Sequence, residues 1–245
     1  MARTDSSRQR ITLVTGATRG IGRAIAEKLA EQNHRVVGIA RSRGTDFPGE
    51  IFTANLADPE STKQILSEIM SRYEINGLVN NAGVNHLQNL GEIDLAAFDE
   101  IVAVNLKSAI ICAQAVLPAM LHAKFGRIVN ITSRALLGRA KTSAYSAVKA
   151  GLVAMTRSWA LELAEKNITV NAVGPGPTET EMWSKNNPPN DPGTRAHIAR
   201  IPMGRLGRPD EIASAVSFFM SEEASFITGQ HMFACGGLSI GSPMV

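Results

Sequence analysis

The chain is poor in several things that would have fixed a function class at once. It has two cysteines, Cys112 and Cys235, in 245 residues. Two thiols make no disulfide framework, and their spacing matches no metal motif, so both are expected to be buried and reduced and no metal is expected. Lys and Arg outnumber Asp and Glu by only 25 to 22. The basic residues are scattered among acids, with one loose group at Arg3, Arg8 and Arg10, which argues against a nucleic-acid partner. The most apolar stretch, Ala109 to Leu121, is interrupted by Gln114 and Pro118 and is too short to span a bilayer. The N-terminus is polar and lacks the apolar core of a signal peptide. A soluble, cytoplasmic protein that does not engage a membrane is expected. No linker or repeat divides the chain. Residues 1–9 are expected to be a flexible N-terminus and 10–245 a single domain, and a hydrophobic fraction of 44% is enough for its core.

What is present is alternation. Short apolar runs at 11–15, 35–40, 51–54, 77–80, 126–132, 168–173 and 230–234 predict strands. Longer periodic stretches at 21–32, 59–73, 95–122, 143–165 and 209–220 predict helices. Strands alternating with helices imply βαβ units, a parallel sheet and a doubly wound α/β domain of the Rossmann type, with helices on both faces. The one long polar stretch, 185–194, reads either as a lid over a site or as a solvated excursion.

The first strand runs into Gly16-Ala-Thr-Arg-Gly20-Ile-Gly22 and then a helix. Glycines let the backbone approach a phosphate, and a helix N-terminus offers amide donors and a favourable dipole. The spacing differs from the general dinucleotide fingerprint. The second strand ends in Ala40-Arg41-Ser42, without the acid that would meet a free ribose 2′-hydroxyl. Arg41 and Arg19 are both placed to bind a 2′-phosphate, which selects NADP(H) as the expected cofactor.

Only two residues are tyrosines, Tyr73 and Tyr145. Tyr145 and Lys149 are one helical turn apart and share a face. A phenol with a pKa of about 10 is a sluggish acid and a poor base near neutrality, and a nearby ammonium lowers that value. Lys149 is therefore expected to tune Tyr145. Ser133, just past the fifth strand, is placed to hydrogen-bond a carbonyl oxygen. The set describes proton transfer coupled to hydride transfer.

These residues carry a resemblance. Thr15-Gly-Ala-Thr-Arg-Gly-Ile-Gly22, Asn80-Asn-Ala-Gly83, Asn105 in Val-Asn-Leu, Ser133, Tyr145-Ser-Ala-Val-Lys149 and Pro175-Gly176 resemble the short-chain dehydrogenase/reductase family over nearly the whole chain. The resemblance implies that Ser133, Tyr145 and Lys149 are catalytic and that Asn105 holds a water linking Lys149 to solvent. It implies a cofactor site made by Gly16, Thr18, Arg19, Gly20, Ile21 and Gly22, by Arg41, and by Asn55 and Leu56 near the adenine. Asn80, Asn81, Ala82 and Gly83 would line the cofactor. Tyr145 and Lys149 would meet the nicotinamide ribose, and Pro175, Gly176, Thr178 and Thr180 would lie at the nicotinamide end.

Ile201–Ile212 and Phe226–Gln230 resemble the bacterial 3-oxoacyl-[acyl-carrier-protein] reductase branch. The implied function is NADPH-dependent reduction of a 3-oxoacyl thioester or similar ketone, free or carrier-bound. The alternatives are a dehydrogenase of secondary alcohols or polyols and, further off, a non-catalytic cofactor-binding protein. The resemblance implies a homotetramer, and Lys124 and Lys166 stand at comparable places to basic residues that dock an acidic carrier. The chain departs from the family in four places. The 41–54 stretch is too short for the usual helix, Asn55 stands where an Asp is common, Cys235-Gly-Gly replaces Asp-Gly-Gly, and the 133–145 loop carries Arg134, Arg139 and Lys141. Those three could select an anionic substrate, be solvated, or sit at a subunit contact. His86 could reach the substrate or be an ordinary surface residue.

Overall fold

The computed structural model describes residues 9–241. The expected flexible stretch 1–9 falls outside them, apart from Gln9.

Seven strands form one parallel sheet: β1 Ile11–Thr15, β2 Arg35–Ala40, β3 Gly49–Thr53, β4 Gly77–Asn80, β5 Gly126–Ile131, β6 Ile168–Pro175 and β7 His231–Ala234. Their spatial order is β3-β2-β1-β4-β5-β6-β7. Adjacent residues in the strands face opposite sides. Leu13, Leu78 and Ile128 enter one core with Leu66, Val116 and Met120. Val14, Val79 and Val129 enter the other with Ile25, Leu29, Val216 and Phe219. Both faces are covered, so the strands read as continuous apolar runs rather than alternating ones.

Helix α1, Gly20–Glu31, covers the second face with α8, Pro209–Met220; α2, Pro59–Arg72, lies over the first. The long run predicted at 95–122 is one rod in three parts: α3 Leu95–Val102, a π turn Ala103–Lys107 and α4 Ser108–Ala123. By length and composition this run could cross a membrane. It lies against the sheet instead, with Cys112, Val116 and Met120 fully buried. α5, Ser143–Leu163, packs beside β6.

One region departs from expectation and another follows it. The stretch expected as an irregular loop, 185–194, is flanked by α6 Glu181–Asn186 and α7 Pro192–Ala199, leaving only 187–191 between them. Thr180 caps α6 through the Trp183 amide, 3.2 Å away, and Asp191 caps α7 ahead of Pro192. Asp191-Pro192 is a helix-start signal that the polar composition obscures. The second region, 41–48, indeed lacks a helix. It is pinned by the Arg23 guanidinium, which donates to the carbonyls of Thr45 and Asp46, and by Phe47, which packs against the second core.

Strand order reverses between β1 and β4. In such sheets the crevice past the C-terminal ends of these two strands is where ligands bind, and the glycine turn, residues 80–83 and Ser133 follow strands that end beside it.

Candidate active site

At the end of β1 the chain turns at Gly16, whose φ of +65° is costly for any residue with a Cβ. The Gly16 amide donates to the Ile39 carbonyl at 2.8 Å, which ties the turn to the tip of β2. A Cβ on Gly22 would run into the Gly16 carbonyl oxygen. Helix α1 then starts with no side-chain cap and no acid in its first turn. The leading amides at Gly20, Ile21 and Gly22 therefore face the crevice end without an intrahelical partner. Open donors, a positive dipole end and a side-chain-free approach fit the pyrophosphate of a dinucleotide.

Behind the turn is a clamp. Thr15 Oγ1 accepts from the amides of Asn81 and Ala82, each at 3.0 Å. Asn81 Nδ2 donates to the Thr15 and Gly16 carbonyls at 2.9 and 3.2 Å. Asn81 thus positions the turn rather than presenting its amide to a ligand. Asn80 is also turned away from the crevice: it is buried and donates to Asn130 at 2.9 Å, which donates in turn to Thr156. Ala82 and Gly83 are the residues of this motif that edge the site. Thr15 went unnoticed as a functional residue, although a threonine closing an apolar strand beside a glycine turn is a usable signal.

The outer rim is open. Arg41 is the first residue past β2 and is exposed. Arg19 is exposed and meets Glu181 Oε2 at 2.9 Å. Asn55 and Leu56 follow β3, whose end pairs with that of β2, so they share an edge with Arg41. Asn55 Oδ1 accepts from its own turn, from Ala57 N at 3.1 Å, and Leu56 is buried. Thr18 lies under Gly44 of the 41–48 loop.

The inner floor is closed. Lys149 is 2% exposed, and its Nζ donates to the Ile131 carbonyl at 2.8 Å. Burial pushes its pKa down to about 7. The ammonium lies 5.5 Å from the centroid of the Tyr145 ring. Burial also pushes the Tyr145 phenol up from its ordinary value, while the Ser133 hydroxyl and the Arg139 guanidinium hold it back. Lys149, expected to tune the tyrosine, is itself desolvated and directed at the Ile131 carbonyl. Ser133 Oγ accepts from Ala135 N at 3.1 Å, which fixes the hydroxyl where β5 ends.

Asn105 sits in the π turn, a distortion that re-aims a side chain. Its Nδ2 donates to Ile101 O at 2.8 Å and Val84 O at 3.0 Å. Its Oδ1 is buried with no protein donor. A Cβ on Gly83 would lie 2.7 Å from that oxygen and 3.6 Å from Lys149 Nζ. A buried acceptor next to a buried amine suits a bridging water.

At the far side, Pro175 pairs with Ala234 at the end of β6, and Gly176 packs on Cys235. Thr178 Oγ1 donates to Gly176 O at 3.0 Å. Thr180, the cap of α6, stands over Gly20. Cys112 is inert, its thiol pushed up to about 12 by burial. His86 pairs with Glu100 at 2.7 Å instead of pointing at a free site. Lys124 and Lys166 are brought together by Asn167, which donates to the Lys124 carbonyl at 3.2 Å. They precede β5 and β6, however, so they lie at the N-terminal ends of these strands, with the six-residue β5, about 20 Å at ~3.3 Å per residue, between them and Ser133.

The family model described as enoyl-(acyl carrier protein) reductase matches residues 16–239. The chain is 39% identical over 239 residues to 3-oxoacyl-[acyl-carrier-protein] reductase FabG of Vibrio cholerae, covering 94% of this chain and 97% of that one. Among solved structures it resembles ligand-free aldohexose dehydrogenase of Thermoplasma acidophilum, with a TM-score of 0.90, 32% identity and 97% of each chain covered. It also resembles a candidate NAD(P)-dependent gluconate 5-dehydrogenase of Beutenbergia cavernae with bound NADP, with a TM-score of 0.89, 33% identity, and 95% of this chain and 98% of that one covered. A glycine cradle at the strand-order reversal, a serine, tyrosine and lysine at the end of β5, and this breadth of likeness agree: the chain belongs to the short-chain dehydrogenase/reductase family and is an oxidoreductase of CH–OH and C=O groups.

Proposed function

We propose that the protein reduces the ketone of a 3-oxoacyl thioester, with NADP(H) as cofactor and Tyr145 as the proton donor. The observation that carries this reading is the grouping of Tyr145, Ser133 and buried Lys149 beside the end of β5. NADPH, when bound, supplies the hydride. The glycine turn and the first amides of α1 would hold its pyrophosphate, and Arg41 with Arg19 would take the 2′-phosphate. Ser133 donates a hydrogen bond to the substrate oxygen and polarises the carbonyl. Tyr145 gives its proton to that oxygen as charge develops there. Lys149 then returns a proton to Tyr145, and Asn105 with its water connects Lys149 to solvent. A lysine whose pKa sits near 7 suits that exchange, since it gains and loses a proton with little driving force either way.

The thioester reading follows the reductase relatives. It does not lean on Lys124 and Lys166, whose end of the sheet is remote from Tyr145. A dehydrogenase of polyols or other secondary alcohols is the second reading, favoured by the likeness to the aldohexose and gluconate enzymes. We further propose a soluble, cytoplasmic homotetramer. Leu95 and Leu161, 72% and 84% exposed on α3 and α5, are the apolar residues such an assembly would cover.

The test is oxidation of NADPH and NADH with acetoacetyl-CoA by the wild type and by Tyr145→Phe. Turnover with NADPH that falls by roughly 10²–10⁴ in Tyr145→Phe supports the reading. Cofactor binding without turnover moves the assignment to the alcohol panel, and a preference for NADH overturns the reading of Arg19 and Arg41.

A further inference from the structure

The loop between Ser133 and Tyr145 brings the Arg139 guanidinium within electrostatic reach of the Tyr145 phenol, with Arg134 next to Arg139. Arg134 is half-buried and held by main chain: its Nε donates to Leu238 O at 3.3 Å and an Nη to Gly138 O at 3.1 Å. Arg139 is half-buried too, with its guanidinium over the Trp183 ring at 5.9 Å. Trp183 comes from α6 and stands edge-on to His197 of α7 at 5.1 Å. The two short helices thus wall off the side of the crevice that faces these arginines.

Among the described residues, neither Arg134 nor Arg139 meets a carboxylate. The arginines instead act on each other, and Arg139 acts on Tyr145. Burial lowers the Arg139 pKa first, Tyr145 offsets part of that and Arg134 adds to it, while Arg139 in turn lowers the pKa of Tyr145. Burial lowers His197 first, and Arg139, Arg200 and Arg134 add to it. Two half-buried like charges without a counter-ion are costly, and a protein normally pairs them. Every other half-buried or buried arginine with a comparable surrounding has an acid: Arg10 and Arg127 share Glu222, and Arg23 meets Glu27.

We propose that the substrate carries a carboxylate near its reacting carbonyl, and that Arg139, with Arg134 behind it, is the residue that selects for it. This rests on the carbonyl chemistry proposed for the same site and narrows its substrate class. Two sources share the chemistry: a 3-oxoacyl thioester with a second, free carboxylate, and a polyhydroxy or keto acid. Arg139 presents its planar fork to the anion, and Trp183 holds that plane in place. His197, kept neutral, can add a hydrogen bond without competing for the charge.

The experiment compares matched pairs that differ by one carboxylate. One pair is acetoacetyl-CoA against 3-oxoglutaryl-CoA with NADPH. The other is sorbitol against gluconate with NADP⁺. In at least one pair the anionic member should be favoured tenfold or more in kcat/KM. That ratio should collapse about tenfold or more in Arg139→Gln, and Arg139→Lys should restore part of it, in line with the strength of a charge-assisted contact. The pair that responds identifies the source. Neutral members used as well as anionic ones in both pairs, or a ratio unmoved in Arg139→Gln, overturns the proposal. Should no substrate turn over, the carbonyl reading fails separately, and calorimetric titration of gluconate and glutarate into the protein with NADP⁺ decides the carboxylate site. Binding by the wild type that Arg139→Gln loses sustains it. No binding, or equal binding by both proteins, sinks it.

Discussion

The floor of this site and its rim are built on opposite rules. On the floor, Lys149, Asn105, Asn81 and Thr15 each hydrogen-bond to main chain at 2.8 to 3.2 Å. Their positions are set by the sheet and the π turn, not by rotamer freedom. On the rim, Arg19, Arg41 and Arg139 are exposed or half-buried, and among the described residues the only ion pair any of them makes is the exposed bridge from Arg19 to Glu181. Preorganised groups in a closed setting suit the part of the reaction common to many substrates. Long, exchangeable side chains suit the part that differs, namely which cofactor phosphate and which substrate group is accepted. If this division is right, changes on the floor alter proton transfer and stability, whereas changes on the rim alter selectivity.

The largest effects belong to the floor. Lys149→Met removes the proposed proton donor to Tyr145 and should lower kcat by at least about 10². It should also stabilise the fold. Burial holds the folded-state pKa of Lys149 at about 7, against an unfolded value near 10.5. Between those limits the unfolded chain binds the extra proton, so wild-type stability falls as pH drops from about 10 toward 7 and levels off below. The Tm advantage of Lys149→Met should therefore grow across that window, on the order of a few kcal/mol in free energy. Calorimetry at pH 6, 8 and 10 checks this. An advantage that is flat with pH means that Lys149 is charged in the folded protein.

Gly83→Ala is the smaller floor test. Its methyl would press on Asn105 Oδ1 and face Lys149 Nζ. It should cut kcat roughly tenfold while leaving the KM for NADPH within about twofold, since the Cβ occupies the proton route and not the phosphate cradle. A KM that rises with kcat unchanged would place Gly83 in cofactor packing instead.

How much of this could be read in advance follows the same line. The strands were legible because Leu13-Val14, Leu78-Val79 and Ile128-Val129 are apolar on both faces, and only a sheet covered twice asks for that. The glycine turn and the Tyr145–Lys149 pair were legible because their chemistry depends on local spacing. Which groups act on Tyr145 was not, because Arg139 reaches it through loop geometry and Lys149 on α5 donates to Ile131 at the end of β5. The roles of Asn80 and Asn81 were hidden for a related reason: neighbouring residues leaving a strand face opposite ways, and one ties to Asn130 while the other clamps Gly16. Helices α6 and α7 were obscured by polar composition. Trp183 and His197 went unnoticed with them, since a lone aromatic in a polar stretch carries no periodic signal.

On the rim, Arg41→Ala should lower kcat/KM for NADPH by about ten- to a hundredfold and leave NADH almost unchanged, the loss of one charge-assisted phosphate contact. Equal losses with both cofactors would mean that Arg41 supports the 41–48 loop rather than the phosphate.

The finest test uses the acid that Arg19 already holds. Arg19 must leave Glu181, or share its charge, to meet a 2′-phosphate. Both side chains are largely exposed, 64% and 75%, so the bridge is weak and easily exchanged. Glu181→Gln frees Arg19 and removes a negative charge from the phosphate's neighbourhood. NADPH should bind about two- to fivefold more tightly, the scale of an exposed ion pair, and the gain should shrink as salt is raised. NADH affinity should hold steady, because it brings no 2′-phosphate to the pair. Fluorescence titration of both cofactors at low and high salt separates these outcomes. An equal gain for NADH would show that Glu181 acts through the capped start of α6, making that helix part of the floor and not the rim.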